Sequence, residues 1–199
     1  MKRTFFKIIS LGMALCFLCS LLSACKKDGE ADGGEGSLKT VVFPTSYYDY
    51  FGYEASEDKD AIEELGEEYY SKVSVKSGTL VIEGTEAQLR KLIGRNNYHI
   101  SEVTNQFMGA GDGYSVTETT DYTSVEFVLD ENIADDVVNS TVESILMYLA
   151  MNQLLQGAGE DWSVEVIFTN AQTGENMLTA NIPADDLNMG QGGTASAED

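Results

Sequence analysis

Cysteine and histidine are scarce in this 199-residue chain, and each shortage excludes a class of site. Cys16, Cys19 and Cys25 are the three cysteines, so the chain beyond residue 25 has no disulfide, no thiol nucleophile and no cysteine-ligated metal. His99 is the single histidine. A histidine-rich metal site is therefore excluded, and a catalytic triad would need His99 itself together with carboxylates. Because its neighbours are polar, we interpret His99 as a surface residue in a loop.

Positive charge is also in short supply. The chain has 12 Lys and Arg residues against 33 Asp and Glu residues, which gives a net charge of −21. Every Lys and Arg lies at or before Arg95, so the charged residues after Arg95 are all Asp and Glu. Such a surface repels nucleic acid and anionic lipid headgroups, so neither is predicted as a partner. Solubility at a crowded cell surface would explain the charge, and so would attraction of cationic partners or loosely bound divalent ions.

The N-terminus has the layout of a secretory signal. Lys2, Arg3 and Lys7 precede an apolar run over residues 8–22, which is too short for a comfortable membrane span. The next residues, Leu22-Ser23-Ala24-Cys25, look like a lipobox, in which small residues precede a cysteine that becomes lipidated. This pattern predicts cleavage before Cys25 and a lipid anchor on the outer side of a membrane. The alternative is an ordinary signal peptide cleaved near Ala24.

Composition predicts four regions along the chain. Residues 1–24 form the lipoprotein signal peptide, and residues 25–38 form the lipidated cysteine with a flexible tether rich in Gly and acids. Residues 39–187 are enough for a single domain with its own core. Residues 188–199 read as a disordered acidic tail.

Hydrophobic patterning predicts an α+β domain, in which an antiparallel sheet of about five to seven strands packs against two or three helices, one of them long and apolar. Two hairpins are predicted, with turns at Ser77-Gly78 and Thr173-Gly174. The segments whose alternation indicates strands are 40–43, 73–76, 79–83, 114–119, 123–129, 162–168 and 176–182.

Three helices are predicted from capping residues and apolar spacing. The first spans residues 56–69, and the second begins at a capping box of Thr85 and Gln88 and ends at Gly94. The longest begins at residue 132 or 135 and stops at Gly157. Because it is apolar almost all round, we expect it to be buried across the sheet; the alternative is a partner groove or a seam between subunits.

The aromatic set around residues 47–53 is the most distinctive local feature. Tyr47, Tyr48, Tyr50 and Tyr53 could stack on a sugar or peptide, which makes them candidate ligand contacts. The alternative is that they seal the edge of the core. Carboxylates are abundant, but no pair is singled out as a catalytic site. No catalytic residue, metal site or cofactor is therefore predicted.

Several short motifs resemble small lipoproteins common in Gram-positive bacteria over nearly the whole mature chain. A Phe-Pro start at Phe43-Pro44-Thr45-Ser46-Tyr47-Tyr48 precedes an acidic helix, a hairpin, a helix and a long apolar helix. A Thr-Gly turn and the ending Ile182-Pro183-Ala184-Asp185-Asp186-Leu187 follow. The chain departs from the pattern in its Lys-poor second half and in having Ser-Gly where Asp-Gly is expected. The resemblance implies location and architecture, and carries over no site residues.

The expected function is a non-enzymatic binding or interaction module of the cell envelope, held to the membrane through the lipid on Cys25. Its partner would be another envelope protein or an extracellular ligand. Two alternatives stay open. One is a carboxylate-based hydrolase that could depend on a divalent cation, and the other is a self-associating structural protein whose long helix pairs between subunits.

Overall fold

The structure, a computed structural model, describes residues 36–130 and 136–187. They form seven strands and four α-helices, an α+β arrangement. The predicted signal peptide, Cys25 and the tail of residues 188–199 lie outside these ranges. Contacts within the chain divide it between Gly36 and Ser37, and the described residues after that boundary pack as one unit.

The first sheet has three antiparallel strands in the order β1-β3-β2. The predicted hairpin is confirmed, with its turn at Ser77 and Gly78, both of which have positive φ. Two helices fill the connection from β1 to β2. The bounds of these elements are β1 Lys39–Phe43, α1 Thr45–Phe51, α2 Ala55–Leu65, β2 Lys72–Lys76 and β3 Thr79–Gly84.

Helix α3 spans Glu86–Gly109, and the predicted capping box at its start is confirmed. The Gln88 amide donates to Thr85 Oγ1 at 3.3 Å, and the Thr85 amide donates to Gln88 Oε1 at 2.8 Å. The prediction that the helix ends at Gly94 is wrong. A glycine in a helix interior costs only about 1 kcal/mol relative to alanine. Burial of Ile100 and Phe107 further along the helix outweighs that cost.

The second sheet has four strands, and one pair is parallel. The prediction of one antiparallel sheet is therefore wrong, because the described residues form two sheets. The polypeptide passes from β5 to β6 through a long helix, and such a crossover returns the chain in the same direction. The strands, in sheet order, are β4 Ser115–Glu118, β5 Ser124–Leu129, β6 Val164–Asn170 and β7 Asn176–Ile182.

The crossover helix, α4, spans Asp136–Leu155 and is followed by Gly157 at a φ of 100°. A helix was predicted here, but the structure corrects its description as apolar almost all round. Thr141, Asn152 and Gln153 are polar residues within its buried surface. Among the helices of the described ranges, none is both long and apolar enough to pass through a membrane.

Side-chain amides connect α3 to α4 through the buried Asn96 and Asn152 and the exposed Asn97. Asn96 Nδ2 donates to Asn152 Oδ1 at 3.0 Å, and Asn152 Nδ2 donates to Asn97 Oδ1 at 2.8 Å. We call these three residues the amide ladder. Gln153 extends the polar contacts, because its Nε2 donates to the carbonyls of Tyr122 and Ser163, both at 2.7 Å. Buried amides with such partners avoid the cost of unsatisfied polar groups.

Candidate functional site

A cluster of aromatic side chains lies where β1 meets α1. Tyr47 is at its centre, with ring centroids 5.6 Å from Phe43, 5.1 Å from Phe51 and 5.8 Å from Trp162. Most pairs are edge-to-face, an arrangement that aromatic rings favour. The members of this aromatic cluster are Phe43, Tyr47, Tyr48, Phe51, Tyr53 and Trp162.

The four tyrosines considered as ligand contacts differ in exposure. Tyr47 and Tyr48 are buried, with 0% and 5% of their surface exposed, whereas Tyr50 and Tyr53 are half-buried. Tyr50 packs against Phe51 and Trp162, with ring centroids 5.0 and 6.2 Å away, and burial raises its pKa to about 12. The rings therefore pack mainly against one another and form part of the core.

Asp58, on α2, is the acidic partner of this cluster. The hydroxyls of Tyr48 and Tyr53 both lie 3.1 Å from Asp58 Oδ2, and the hydroxyl oxygens of Tyr53 and Tyr47 are 2.6 Å apart. Each phenol carries one proton. A chain in which Tyr47 donates to Tyr53, and Tyr53 donates to Asp58, is consistent with these distances. The contacts attach α2 to the aromatic cluster.

Competing effects act on the pKa of the Asp58 carboxyl. Burial raises its pKa to about 7, although the hydrogen bonds from Tyr48 and Tyr53 favour the charged form and lower the pKa. A carboxyl that titrates near neutral pH has the proton affinity that acid–base chemistry needs. Its hydrogen bonds, however, run to core tyrosines. Within residues 36–130 and 136–187, no group of three or more His, Cys, Asp or Glu side chains is arranged to hold a metal ion.

His99 lies in α3, which corrects its placement in a surface loop. Its ring stacks on Tyr148 of α4 at a centroid distance of 5.5 Å, and its Nδ1 is 3.4 Å from Glu102 Oε2. Burial lowers the pKa of His99, and the positive charge of Arg95 lowers it further, while Glu102 acts in the opposite direction. The imidazole is therefore favoured in its neutral form, in which it packs between two helices.

A groove of about 540 Å³ opens at the other end of β1. One wall is formed by the β1 residues 39–41, and the other wall by α3. Leu89 and Ile93 from α3, with Val41 and Leu155, supply the apolar part of a lining that also contains polar and charged side chains, and residues 155–157 complete it. We refer to it as the β1–α3 groove.

Three charged side chains stand at this groove. Lys39 Nζ is 3.2 Å from Glu86 Oε2, and Arg90 Nη1 is 2.7 Å from Glu86 Oε1. Lys39, followed by Arg90, lowers the pKa of Glu86, so its carboxylate is charged at neutral pH. A carboxylate held in this way is a poor general acid or base near pH 7.

Sequence reasoning missed the β1–α3 groove because its walls come from three distant segments of the chain. One signal was present: Glu86, Leu89, Arg90 and Ile93 have the i, i+3, i+4, i+7 spacing of a single helix face. Ending the helix at Gly94 placed Arg90 near a helix C-terminus, where a cation needs no further explanation. With α3 extended to Gly109, Arg90 lies near the start of the helix.

Comparisons with protein-family models, with curated proteins and with solved structures find no match to this chain. The function proposed below therefore depends on the chain's own residues and geometry.

Proposed function

We propose that this chain is a lipid-anchored, extracytoplasmic module that binds another component of the cell envelope, or an extracellular ligand, without catalysing a reaction. The β1–α3 groove is the observation that carries the binding role. Its volume of about 540 Å³ falls within the usual size range of ligand sites, and its lining combines apolar side chains with a few charged groups.

The chemistry of the groove favours binding over hydrolysis. A carboxylate-based hydrolase needs two acids at a set separation, one of them able to donate a proton near neutral pH. Glu86 is the one carboxylate among the residues that line the groove, and its pKa is lowered by Lys39 and Arg90. The arrangement suits recognition, in which the charged side chains and the apolar side chains beside them contact different parts of a ligand.

The proposed location depends on the lipobox residues Leu22-Ser23-Ala24-Cys25. The tether of residues 25–38 would span at most roughly 50 Å when extended. It would allow the domain to move away from the bilayer, which suits its acidic surface. The resemblance to small Gram-positive lipoproteins supports the same location.

The anchor is tested by substituting Cys25→Ala in the full chain. We expect the variant to leave the membrane fraction or to stay unprocessed, and to lose incorporation of labelled fatty acid. Cys19→Ala is the matched control, because Cys19 lies within the predicted signal peptide and its loss leaves the anchor intact. Correct cleavage with normal membrane retention of Cys25→Ala would contradict the proposal.

The binding role is tested by cross-linking on intact cells. A photoreactive amino acid at Gln156, an exposed residue that lines the groove, should give a discrete adduct with a partner molecule. The same group at Thr173, in the exposed turn between β6 and β7, provides the comparison. The absence of adducts from both positions would contradict a binding module, and an adduct from Thr173 alone would place the binding surface elsewhere.

A further inference from the structure

Strand β1 has an open edge. It pairs with β3 alone, from Lys39 opposite Gly84 to Phe43 opposite Leu80. Across the described part of the chain, α4 and residues 159–161 pack near β1, but no backbone group outside that pairing bonds to residues 39–43. A strand paired on one side presents a row of N–H and C=O groups on the other side, ready to pair with another chain.

The β1–α3 groove follows this edge. Its wall includes three consecutive residues of β1, namely Lys39, Thr40 and Val41. Successive side chains of a strand point to opposite faces of the sheet, so a groove lined by all three residues also meets the backbone of the strand. The unpaired backbone and the groove are therefore neighbours.

Helix α3 provides the facing wall. Leu89 and Ile93 alternate there with the charged residues Glu86 and Arg90 on one helix face. An edge strand beside a groove that combines apolar and charged side chains suits an added peptide strand. In that recognition mode, main-chain hydrogen bonds provide affinity and side-chain pockets provide specificity.

The charged side chains at the groove indicate which class of peptide would bind there. Lys39 and Arg90 share the single carboxylate of Glu86, so the groove has a local excess of positive charge in a strongly acidic chain. At physiological salt, exposed charges are screened beyond about 8 Å. The nearby cations therefore act on a bound carboxylate more strongly than the distant acids do.

We propose that the β1–α3 groove binds an extended segment of a partner protein, which adds to β1 as a further strand. An apolar side chain of the segment would lie between β1 and α3, and a neighbouring carboxylate would contact Lys39 and Arg90. This inference rests on the binding role proposed above and specifies the ligand class for the same site.

The test uses the full-length protein in detergent and three fluorescent octapeptides of alternating valine and threonine. One peptide carries two glutamates at one end, and the second carries two lysines there. The third has the glutamates and N-methylated backbone amides, which cannot pair as a strand. Fluorescence anisotropy should give a Kd for the first peptide that is at least about tenfold below those of the other two.

Charge reversal at the groove provides the matched variants. Arg90→Glu should weaken binding of the glutamate peptide by about tenfold, because it replaces an attraction with a repulsion. Lys91→Glu is the control, because Lys91 has a similar exposed ion pair, with Glu68 at 2.9 Å, and does not line the groove. It should change the Kd by less than about twofold.

Several results would overturn the inference. They are no binding of the glutamate peptide at about 1 mM, equal binding of the lysine or N-methylated peptide, or equal losses in Arg90→Glu and Lys91→Glu. If the peptides fail while a photoreactive group at Gln156 still captures a partner on cells, only the ligand class is wrong. Failure of both experiments would remove the binding role as well.

Discussion

The two ends of β1 lie in opposite environments, although the strand has only five residues. Phe43 is fully buried in the aromatic cluster, whereas the side chain of Lys39, at the groove, is 55% exposed. The closed end joins β1 to α1, α2 and Trp162 through packed rings and tyrosine hydroxyls. The open end instead carries the exposed ion pairs that Glu86 forms with Lys39 and Arg90. The difference indicates that the closed end stabilises the fold and leaves the open end available for binding.

The largest expected loss of folding stability comes from removing a buried side chain at the closed end. Trp162 is 2% exposed, lies 6.1 Å from Phe51 in a stacked arrangement and donates from Nε1 to Ser46 Oγ at 3.3 Å. Trp162→Ala should lower the free energy of unfolding by about 3–5 kcal/mol in urea denaturation, because it opens a large cavity. Ile93→Ala at the open end should cost only about 1 kcal/mol, since Ile93 is half-buried. Equal losses would contradict the distinction between the two ends.

A smaller effect, dependent on pH, is expected from Asp58. Its pKa is raised from 3.8 to about 7 in the folded chain, so between pH 4 and 7 the folded state binds more protons than the unfolded state. Its contribution to the free energy of unfolding is therefore present at low pH and is lost as the pH rises towards 7. The shift corresponds to at most about 4 kcal/mol, and we expect roughly half of that because the side chain keeps some contact with solvent.

The measurement is the difference in unfolding free energy between the wild type and Asp58→Asn across pH 4–7. The variant should become relatively more stable as the pH rises, because asparagine removes the titration and keeps an oxygen that accepts hydrogen bonds. Asp60→Asn is the control, since Asp60 is exposed on the same helix. If the free energy of unfolding changed with pH in the same way for the wild type and Asp58→Asn, the closed end would tolerate a charged Asp58.

The smallest change in folding stability is expected from a substitution at the open end. Lys39→Ala removes an exposed ion pair with Glu86, and such pairs contribute at most about 1 kcal/mol. Thermal and urea denaturation should show a change below about 0.5 kcal/mol. A loss above about 2 kcal/mol would show that the open end also supports the fold, and would weaken the case for a surface kept free for a ligand.

Elements with a local signal could be predicted from the sequence. The capping box at Thr85, the stop at Gly157 and the hairpin over residues 72–84 depend on neighbours in the chain, and the structure has each of them. The parallel pairing of β5 with β6 depends on how α4 crosses the sheet, which strand alternation does not report. The sequence contained one clue, because a long helix between two strands is the usual route to a parallel pair.

The candidate site was only partly predictable for the same reason. The tyrosines of the aromatic cluster stand close together in sequence and were recognised as a set. Trp162, which packs on them, is more than a hundred residues away along the chain. The β1–α3 groove combines Lys39, the start of α3 and Leu155, so no local window contains it. Its detection required the packing of distant segments.

The amide ladder determines more than how strongly α3 and α4 associate. Apolar side chains tolerate a slide of one helix along another, since most of their contacts are replaced by similar ones. Asn96 and Asn152 would instead lose their mutual hydrogen bond, and each unsatisfied buried amide costs about 1–3 kcal/mol. The ladder thus favours a single alignment of the two helices. Because Ile93 and Leu155 lie one turn from it, the same alignment positions these two lining residues of the β1–α3 groove relative to each other.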